Sequence, residues 1–160
     1  MRSTVWWGAF CISALSGLVL AQSAPAAEIK ASGSVSYVTV SSEADELADG
    51  RTLVRSTSKG IVRADDPTVS VHLSSQDCSG TDLIAAEGNF VLGQGYCDGV
   101  DKDGDVWWIW WRNSEQENVW GFLGGTGKYE GIEGGGTTAI ETRLPDGRMS
   151  IRWQGTWQTK

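Results

Sequence analysis

Short stretches in which apolar and polar residues alternate recur after residue 33, and this period of two predicts β-strands. The clearest stretch is 68–74, where Val69, Val71 and Leu73 alternate with polar residues that include His72. The other predicted strands cover 33–40, 51–55, 60–64, 83–87 with 89–93, 106–112, 118–123 and two strands that end the chain.

The segments between these strands predict turns and one short helix. Helix formers fill 42–48, so a helical turn or two is expected before Asp49 and Gly50 end it. Gly88 interrupts one long strand over 83–93 and predicts a bulge there. The remaining predictions are a hairpin at 56–59, a loop at 75–81 that carries Cys78, and a reversal of the chain at 97–104.

The last two strands are predicted to form a hairpin around the Asp-Gly pair at 146–147. A two-residue loop there places Ile140 opposite Trp153 and Glu141 opposite Arg152. Apolar then meets apolar and acid meets base, which favours this register.

Eight or so short antiparallel strands predict either a sandwich or a closed barrel. Glycine is frequent inside the predicted strands, and sharp coiling of a barrel needs such positions, so the barrel is favoured. The sequence therefore predicts an all-β fold.

A glycine-rich motif supports the barrel by resemblance. Trp-Gly-Phe at 120–122 leads into Gly-Thr-Gly-Lys-Tyr at 125–129 and Gly-Ile-Glu-Gly at 131–134. This segment, mostly 101–136, resembles the signature of the allene oxide cyclase-like and dirigent-like barrels, and the whole looks like a bacterial secreted member of that superfamily. The resemblance implies an eight-stranded antiparallel β-barrel with a cavity, often trimeric. It carries over no catalytic residue.

The first 27 residues predict a secretory signal peptide. Arg2 is followed by an apolar stretch at 5–20 and by small residues at 21–27. The alternative, an uncleaved membrane anchor, is disfavoured because the apolar stretch is shorter than the roughly 20 residues that span a bilayer. We therefore expect residues 28–160 to be a single secreted domain, periplasmic or extracellular.

The balance of charges limits the partners. A net charge of −7, without a basic cluster, argues against nucleic acid and against anionic membrane surfaces. In an oxidising compartment Cys78 and Cys97 predict a disulfide. A metal site is the rival, but two cysteines with the single His72 make a poor ligand set, and we expect neither metal nor cofactor.

Two polar features carry weaker hypotheses. The Asp-Lys-Asp-Gly-Asp sequence at 101–105 resembles a calcium loop, but its glycine is fourth instead of sixth, and Arg112 stands where a ligating Glu is needed. A plain turn is favoured. His72 lies on the polar face of its predicted strand, where it is either solvated or directed into a wet cavity. No catalytic residue is assigned.

Four tryptophans within five residues, at positions 107, 108, 110 and 111, make both faces of one predicted strand apolar. One face can fill the barrel, and the other needs a cover: a subunit, a long loop or a ligand. A subunit is favoured, so we expect a homo-oligomer, with a trimer as one candidate. The sequence does not say which face points inward.

These observations favour a barrel that binds a small apolar or aromatic molecule in its cavity. One alternative is a cyclase or isomerase that steers a reactive intermediate by cavity shape. Another is a structural or partner-binding protein that uses its Trp-rich faces. The candidate ligand-binding residues are His72, Trp108, Trp110, Tyr129 and Trp153.

Overall fold

Eight antiparallel β-strands close into a barrel in a computed structural model that describes residues 27–159. The strands are β1 (Glu28–Glu46), β2 (Thr52–Ala64), β3 (Ser75–Ile84), β4 (Phe90–Val100), β5 (Val106–Ser114), β6 (Asn118–Gly125), β7 (Glu133–Arg143) and β8 (Arg148–Gln158). Each strand pairs with the next, and β1 pairs with β8. The predicted all-β barrel is confirmed. The signal peptide predicted over 1–27 lies, but for Ala27, outside the described residues.

The two ends of the barrel differ. At the end we call the mouth, short turns join β1 to β2, β3 to β4, β5 to β6 and β7 to β8. At the other end, the closed end, the longer connections 65–74 and 126–132 bring Val71, Tyr129 and Ile132 into the core. No helix within 27–159 is long and apolar enough to cross a membrane.

The predicted strand at 68–74 is wrong, because this segment is a series of turns. Asp66 starts it by accepting hydrogen bonds from the backbone N–H and the hydroxyl of Thr68. Val71 then points into the core, while Leu73 is exposed at φ 61°. Alternation alone could not distinguish this connection from a strand.

Pairing with neighbouring strands also overrides three local predictions. Segment 56–59 is not a hairpin but the middle of β2, and the predicted loop 75–81 belongs to β3. The predicted helical turn at 42–48 is mostly strand, since β1 continues to Glu46 past a bulge between Thr39 and Ser41. Ser and Thr suit either a turn or a strand, and here the partner strands decide.

Two hairpins differ from their predictions. Gly88, predicted as a bulge, lies at φ 87° in the turn between β3 and β4. At the last turn Leu144 N–H donates to the Arg148 carbonyl oxygen over 2.8 Å, so the loop has three residues instead of two. Such loops place their last residue, here Gly147 at φ 83°, in the left-handed region.

This longer loop makes the predicted register of the last hairpin wrong. Ile140 faces Ile151, not Trp153, and a register shift follows between Ile140 and Thr142. The guanidinium of Arg152 pairs with Asp65 instead of Glu141. The longer turn shifts the pairing by one residue, and the irregularity between Ile140 and Thr142 shifts it by a second residue.

The two-faced strand β5 turns one set of indoles inward. Trp107 and Ile109 are buried, and Trp108 on the opposite face is 40% exposed. The indole of Trp111 lies against Gly80 and Gly95, where an added Cβ would come within 2.2 Å and 2.6 Å of it. Glycine at these positions makes room for a large inward side chain.

The interior next to the closed end is an aromatic cluster. Trp120 contacts Phe122, Trp153 and Trp157 edge to face, with ring centroids 5.3–6.4 Å apart. This geometry sets the positive edge of one ring against the negative face of another. Within 27–159, four buried indole N–H groups have no hydrogen-bond partner, those of Trp107, Trp120, Trp153 and Trp157.

The predicted disulfide between Cys78 and Cys97 is confirmed. The two residues face each other across β3 and β4. By the chain-entropy estimate, a bridge over a loop of this length stabilises the fold by about 3 kcal/mol.

Candidate ligand cavity

A buried carboxylate organises the closed end. The side chain of Asp101, 0% exposed, lies 2.9 Å from the Lys128 ammonium nitrogen and accepts a 3.0 Å hydrogen bond from the Tyr129 hydroxyl. It also accepts bonds from the backbone N–H groups of Asp103 and Asp105 over 2.9 Å and 3.1 Å. Lys128 and Tyr129 of the glycine-rich motif therefore tie 126–132 to 101–105.

The same contacts shift the pKa values of these groups. Burial alone would raise the pKa of Asp101, but hydrogen bonds from Lys128, Asp103 and Tyr129 hold it below its ordinary value. Hydrogen bonds from Lys128 and Lys102 lower the pKa of Asp103 to about 2. Asp101 and Asp103 raise the pKa of Lys128.

The ammonium group of Lys128 lies among the carboxylates of the segment that resembles a calcium loop. Its distances to Asp101, Asp103 and Asp105 are 2.9, 2.5 and 3.9 Å. Within 27–159 no cluster of His, Cys, Asp and Glu has the arrangement of a metal site. The acidic segment acts as a turn that Lys128 neutralises.

The barrel encloses a cavity of about 620 Å³. Strands β5 to β8 supply an apolar wall that includes Trp107, Phe122, Ile151 and Trp153. Strands β1 to β3 supply a more polar wall. Its polar side chains are those of Tyr37, Ser56, Ser58 and Gln76.

Two polar side chains of this wall are largely buried. Gln76 is 7% exposed, and it lines the cavity. The hydroxyl of Tyr37 lies 3.5 Å from Cys78 Sγ, a disulfide sulfur that carries no hydrogen and accepts weakly. Burial raises the pKa of Tyr37, so the hydroxyl stays protonated and able to donate.

The cavity becomes polar and charged toward the mouth, where Asp82, Asn113, Asn118 and Arg143 line it. Burial raises the pKa of the Asp82 carboxyl, and the charge of Arg143 partly opposes this shift. No residue of 27–159 gives Asp82 a hydrogen bond. A half-buried carboxyl of this kind can exchange a proton with a molecule in the cavity.

Solved structures share this architecture. The pterocarpan synthase dirigent protein GePTS1 superposes with a TM-score of 0.53 and 17% sequence identity, over 87% of this chain and 89% of that one. The fold is that of the dirigent barrels. A second pterocarpan synthase dirigent protein, PsPTS1, gives 0.51 and 13% over 82% and 95%. No protein-family model and no curated protein sequence matches the chain.

The five candidate ligand-binding residues lie in different parts of the barrel. Trp153 lines the cavity. Tyr129 is fully buried in the closed end, and His72 lies in the connection 65–74 with Nδ1 3.1 Å from the Ala64 carbonyl oxygen. Trp108 and Trp110 project from the outer face of β5, opposite to the inward Trp107. Of the five, only Trp153 is part of the cavity wall.

Sequence reasoning missed Asp82, Gln76 and Tyr37. In β3 the residues Gln76, Cys78 and Asp82 share one face, because side chains alternate along a strand. The predicted bond from Cys78 to Cys97 already tied that face to a neighbouring strand. The alternation of these residues with the cysteine could have identified the inward face of β3. The prediction of a loop over 75–81 left that face unassigned.

Proposed function

We propose that this barrel binds a small aromatic molecule that carries an oxygen or other polar group. The observation that carries the proposal is an aromatic wall that lies across one cavity from the buried polar side chains of Gln76 and Tyr37. Its 620 Å³ lies within the usual range of about 300–1,000 Å³ for ligand sites.

The two walls suit the two parts of such a molecule. A ring would pack against Trp153 and Phe122, where aromatic pairs gain about 0.5–1.5 kcal/mol beyond buried area. An oxygen substituent would reach the Gln76 amide or the Tyr37 hydroxyl. The Tyr37 hydroxyl has only a weak acceptor in the protein, and a ligand that accepts its hydrogen bond would offset the cost of burying it. A purely structural role would leave the cavity unexplained.

Calorimetric titration with 2-naphthol, a neutral phenol, tests this proposal. We expect saturable binding with one molecule per barrel. Thr138→Phe narrows the cavity, since Thr138 lines it, and should weaken binding about tenfold or more. Ile61→Ala, on an exposed residue outside the cavity lining, is the control. Equal affinity in all three proteins would place the phenol elsewhere and contradict the proposal.

The polar wall has a separate test. Gln76→Leu keeps the approximate volume and removes both the donor and the acceptor of the amide. Wild type should prefer 2-naphthol to naphthalene, and Gln76→Leu should reduce that preference with little loss of naphthalene affinity. An unchanged preference would exclude Gln76 from recognition.

A second candidate function, steering or cyclisation of a reactive intermediate, is favoured by Asp82. The two structural neighbours are named synthases, and at 17% and 13% identity they establish the fold alone. The elimination of 5-nitrobenzisoxazole needs only a base in an apolar site, so it probes Asp82 without the natural substrate. We expect a rate that rises with pH as Asp82 ionises. Asp82→Asn should abolish it, and an equal rate in that variant would eliminate this candidate.

Secretion and oligomerisation belong to the same proposal. The disulfide is typical of oxidising compartments. On the outer face Val100, Trp108 and Leu123 are exposed, and a second copy of the chain is the cover that we propose for them. Native mass spectrometry of the secreted protein would give the mature mass, the subunit number and any retained molecule. A monomer at micromolar concentration would contradict the oligomer.

A further inference from the structure

We propose that the outer wall of the barrel carries a second site, a groove for a neutral polysaccharide chain. The groove, about 710 Å³ in volume, crosses β1 to β5 and is separate from the interior cavity. At the strand spacing of roughly 4.8 Å, four intervals span about 19 Å, enough for several sugar units.

Two rows of outward side chains border the groove, and the strand register aligns each row. One row runs through directly paired residues and changes from hydroxyls to aromatic rings. Its members are Ser41, Thr57, Ser79, Tyr96 and Trp110. The second row carries longer polar side chains. Its members are Glu43, Arg55, Thr81, Gln94 and Arg112.

The floor between the rows is formed by backbone that includes Gly80 and Gly95, which face each other across β3 and β4. At one end of the groove Tyr96 is 66% exposed beside its partner Trp110. The Trp110 indole lies against Gly121, where a Cβ would come within 2.7 Å of its nitrogen. The neighbouring strand thus supports the indole.

This composition fits a sugar chain. The C–H groups of a pyranose face carry partial positive charge and pack on the negative face of an aromatic ring. Sugar hydroxyls pair with hydroxyl, amide and guanidinium groups such as those of Thr57, Gln94 and Arg112. An apolar partner surface would leave these groups unpaired.

The charges favour a neutral chain. Arg55 forms ion pairs with Asp45 at 2.5 Å and Glu43 at 3.8 Å, and Arg112 pairs with Glu117. Both guanidinium groups are therefore neutralised by the protein itself. In a protein of net charge −7, a polyanionic chain would gain little here.

The test is calorimetric titration with soluble hexaoses of β-1,4-linked glucose, xylose and N-acetylglucosamine, beside a galacturonate hexaose. We expect at least one neutral hexaose to bind, and Trp110→Ala to weaken it about tenfold or more. Tyr96→Ala should also weaken binding of the hexaose. Because Tyr96 is more exposed, this variant tests the groove even if Trp110→Ala does not fold. Circular dichroism would verify the fold.

Ile61→Ala is the control, since Ile61 is exposed on the outer face of β2 but lies outside the groove. It should leave hexaose affinity unchanged. Failure of every neutral hexaose, preference for galacturonate, or equal loss in Ile61→Ala would overturn the proposal. A lower subunit number in Tyr96→Ala would also overturn the proposal, because it would show that the groove is a subunit interface. Binding of 2-naphthol in the cavity is unaffected by any of these results.

Discussion

The closed end and the mouth of the barrel differ in how many interactions they provide for a buried carboxyl group. At the closed end the Asp101 carboxylate accepts two backbone and one tyrosine hydrogen bond and pairs with Lys128. Near the mouth Asp82 has no hydrogen bond within 27–159, and its pKa is raised by burial. Both are aspartates of the same barrel, and they differ in burial and in their partners.

This difference separates stability from function. A buried charge with all its partners fixes two connections and lowers the free energy of the folded state. A half-buried charge without such partners raises the free energy of the folded state. Such a charge is retained where a ligand or a proton provides the missing interaction. We therefore assign a structural role to the Asp101 cluster. The mouth and its cavity form the candidate functional site.

The largest expected effect is at the closed end. Trp157 is 2% exposed and contacts Trp120 and Phe122, so Trp157→Ala should lower the free energy of unfolding by about 3–5 kcal/mol. Ile140→Ala, at a 60% exposed residue lining the cavity near the mouth, should change it by about 0.5 kcal/mol or less. Urea denaturation measures both. Similar losses in the two variants would remove the distinction between the ends.

Asp101→Asn should cost about 1–3 kcal/mol at pH 7, because it weakens four interactions of a buried group. The folded pKa values of Asp101 and Asp103 are depressed, so their contribution is complete above about pH 4 and is lost as pH falls toward 2. The gap between wild type and variant should therefore shrink in acid. The exposed Asp98→Asn is the control, and a gap independent of pH would refute this account.

Tyr129→Phe should cost about 1 kcal/mol, since it removes one hydrogen bond to Asp101 and keeps the packing of the ring. Thermal unfolding at pH 7 measures the loss. In the Asp101→Asn background the loss should become smaller, since the two residues share one bond. Additive losses would show that the tyrosine acts independently of Asp101.

The smallest effect has the opposite sign. Because the folded pKa of Asp82 is raised, its ionised form destabilises the barrel at neutral pH. Asp82→Asn should therefore increase the free energy of unfolding at pH 7, by less than about 1 kcal/mol because solvent near the mouth screens the charge. At pH 3, where the carboxyl is protonated, the difference should vanish. A loss of stability at pH 7 would show that Asp82 supports the fold.

The fold was more predictable than the site. Local alternation and the glycine motif predict a barrel, and the cysteine pair predicts its disulfide, because these signals are contained in neighbouring residues. The register of the last hairpin was not predicted, since one extra loop residue before Arg148 and a bulge between Ile140 and Thr142 shift it. The site depends on Gln76 and Asp82, whose segment could be assigned only through its partners β2 and β4.

The sequence by itself determined that strands alternate, that Trp107 and Trp108 face opposite ways, and that the chain forms an all-β fold. Only the tertiary structure decided which of these faces is inside. Both faces of β5 are apolar, so hydrophobic patterning cannot choose between them, and closure of the barrel through the pairing of β1 with β8 does. The same closure brings Asp82 into the cavity, and the pairing of β4 with β5 aligns Tyr96 with Trp110 outside it.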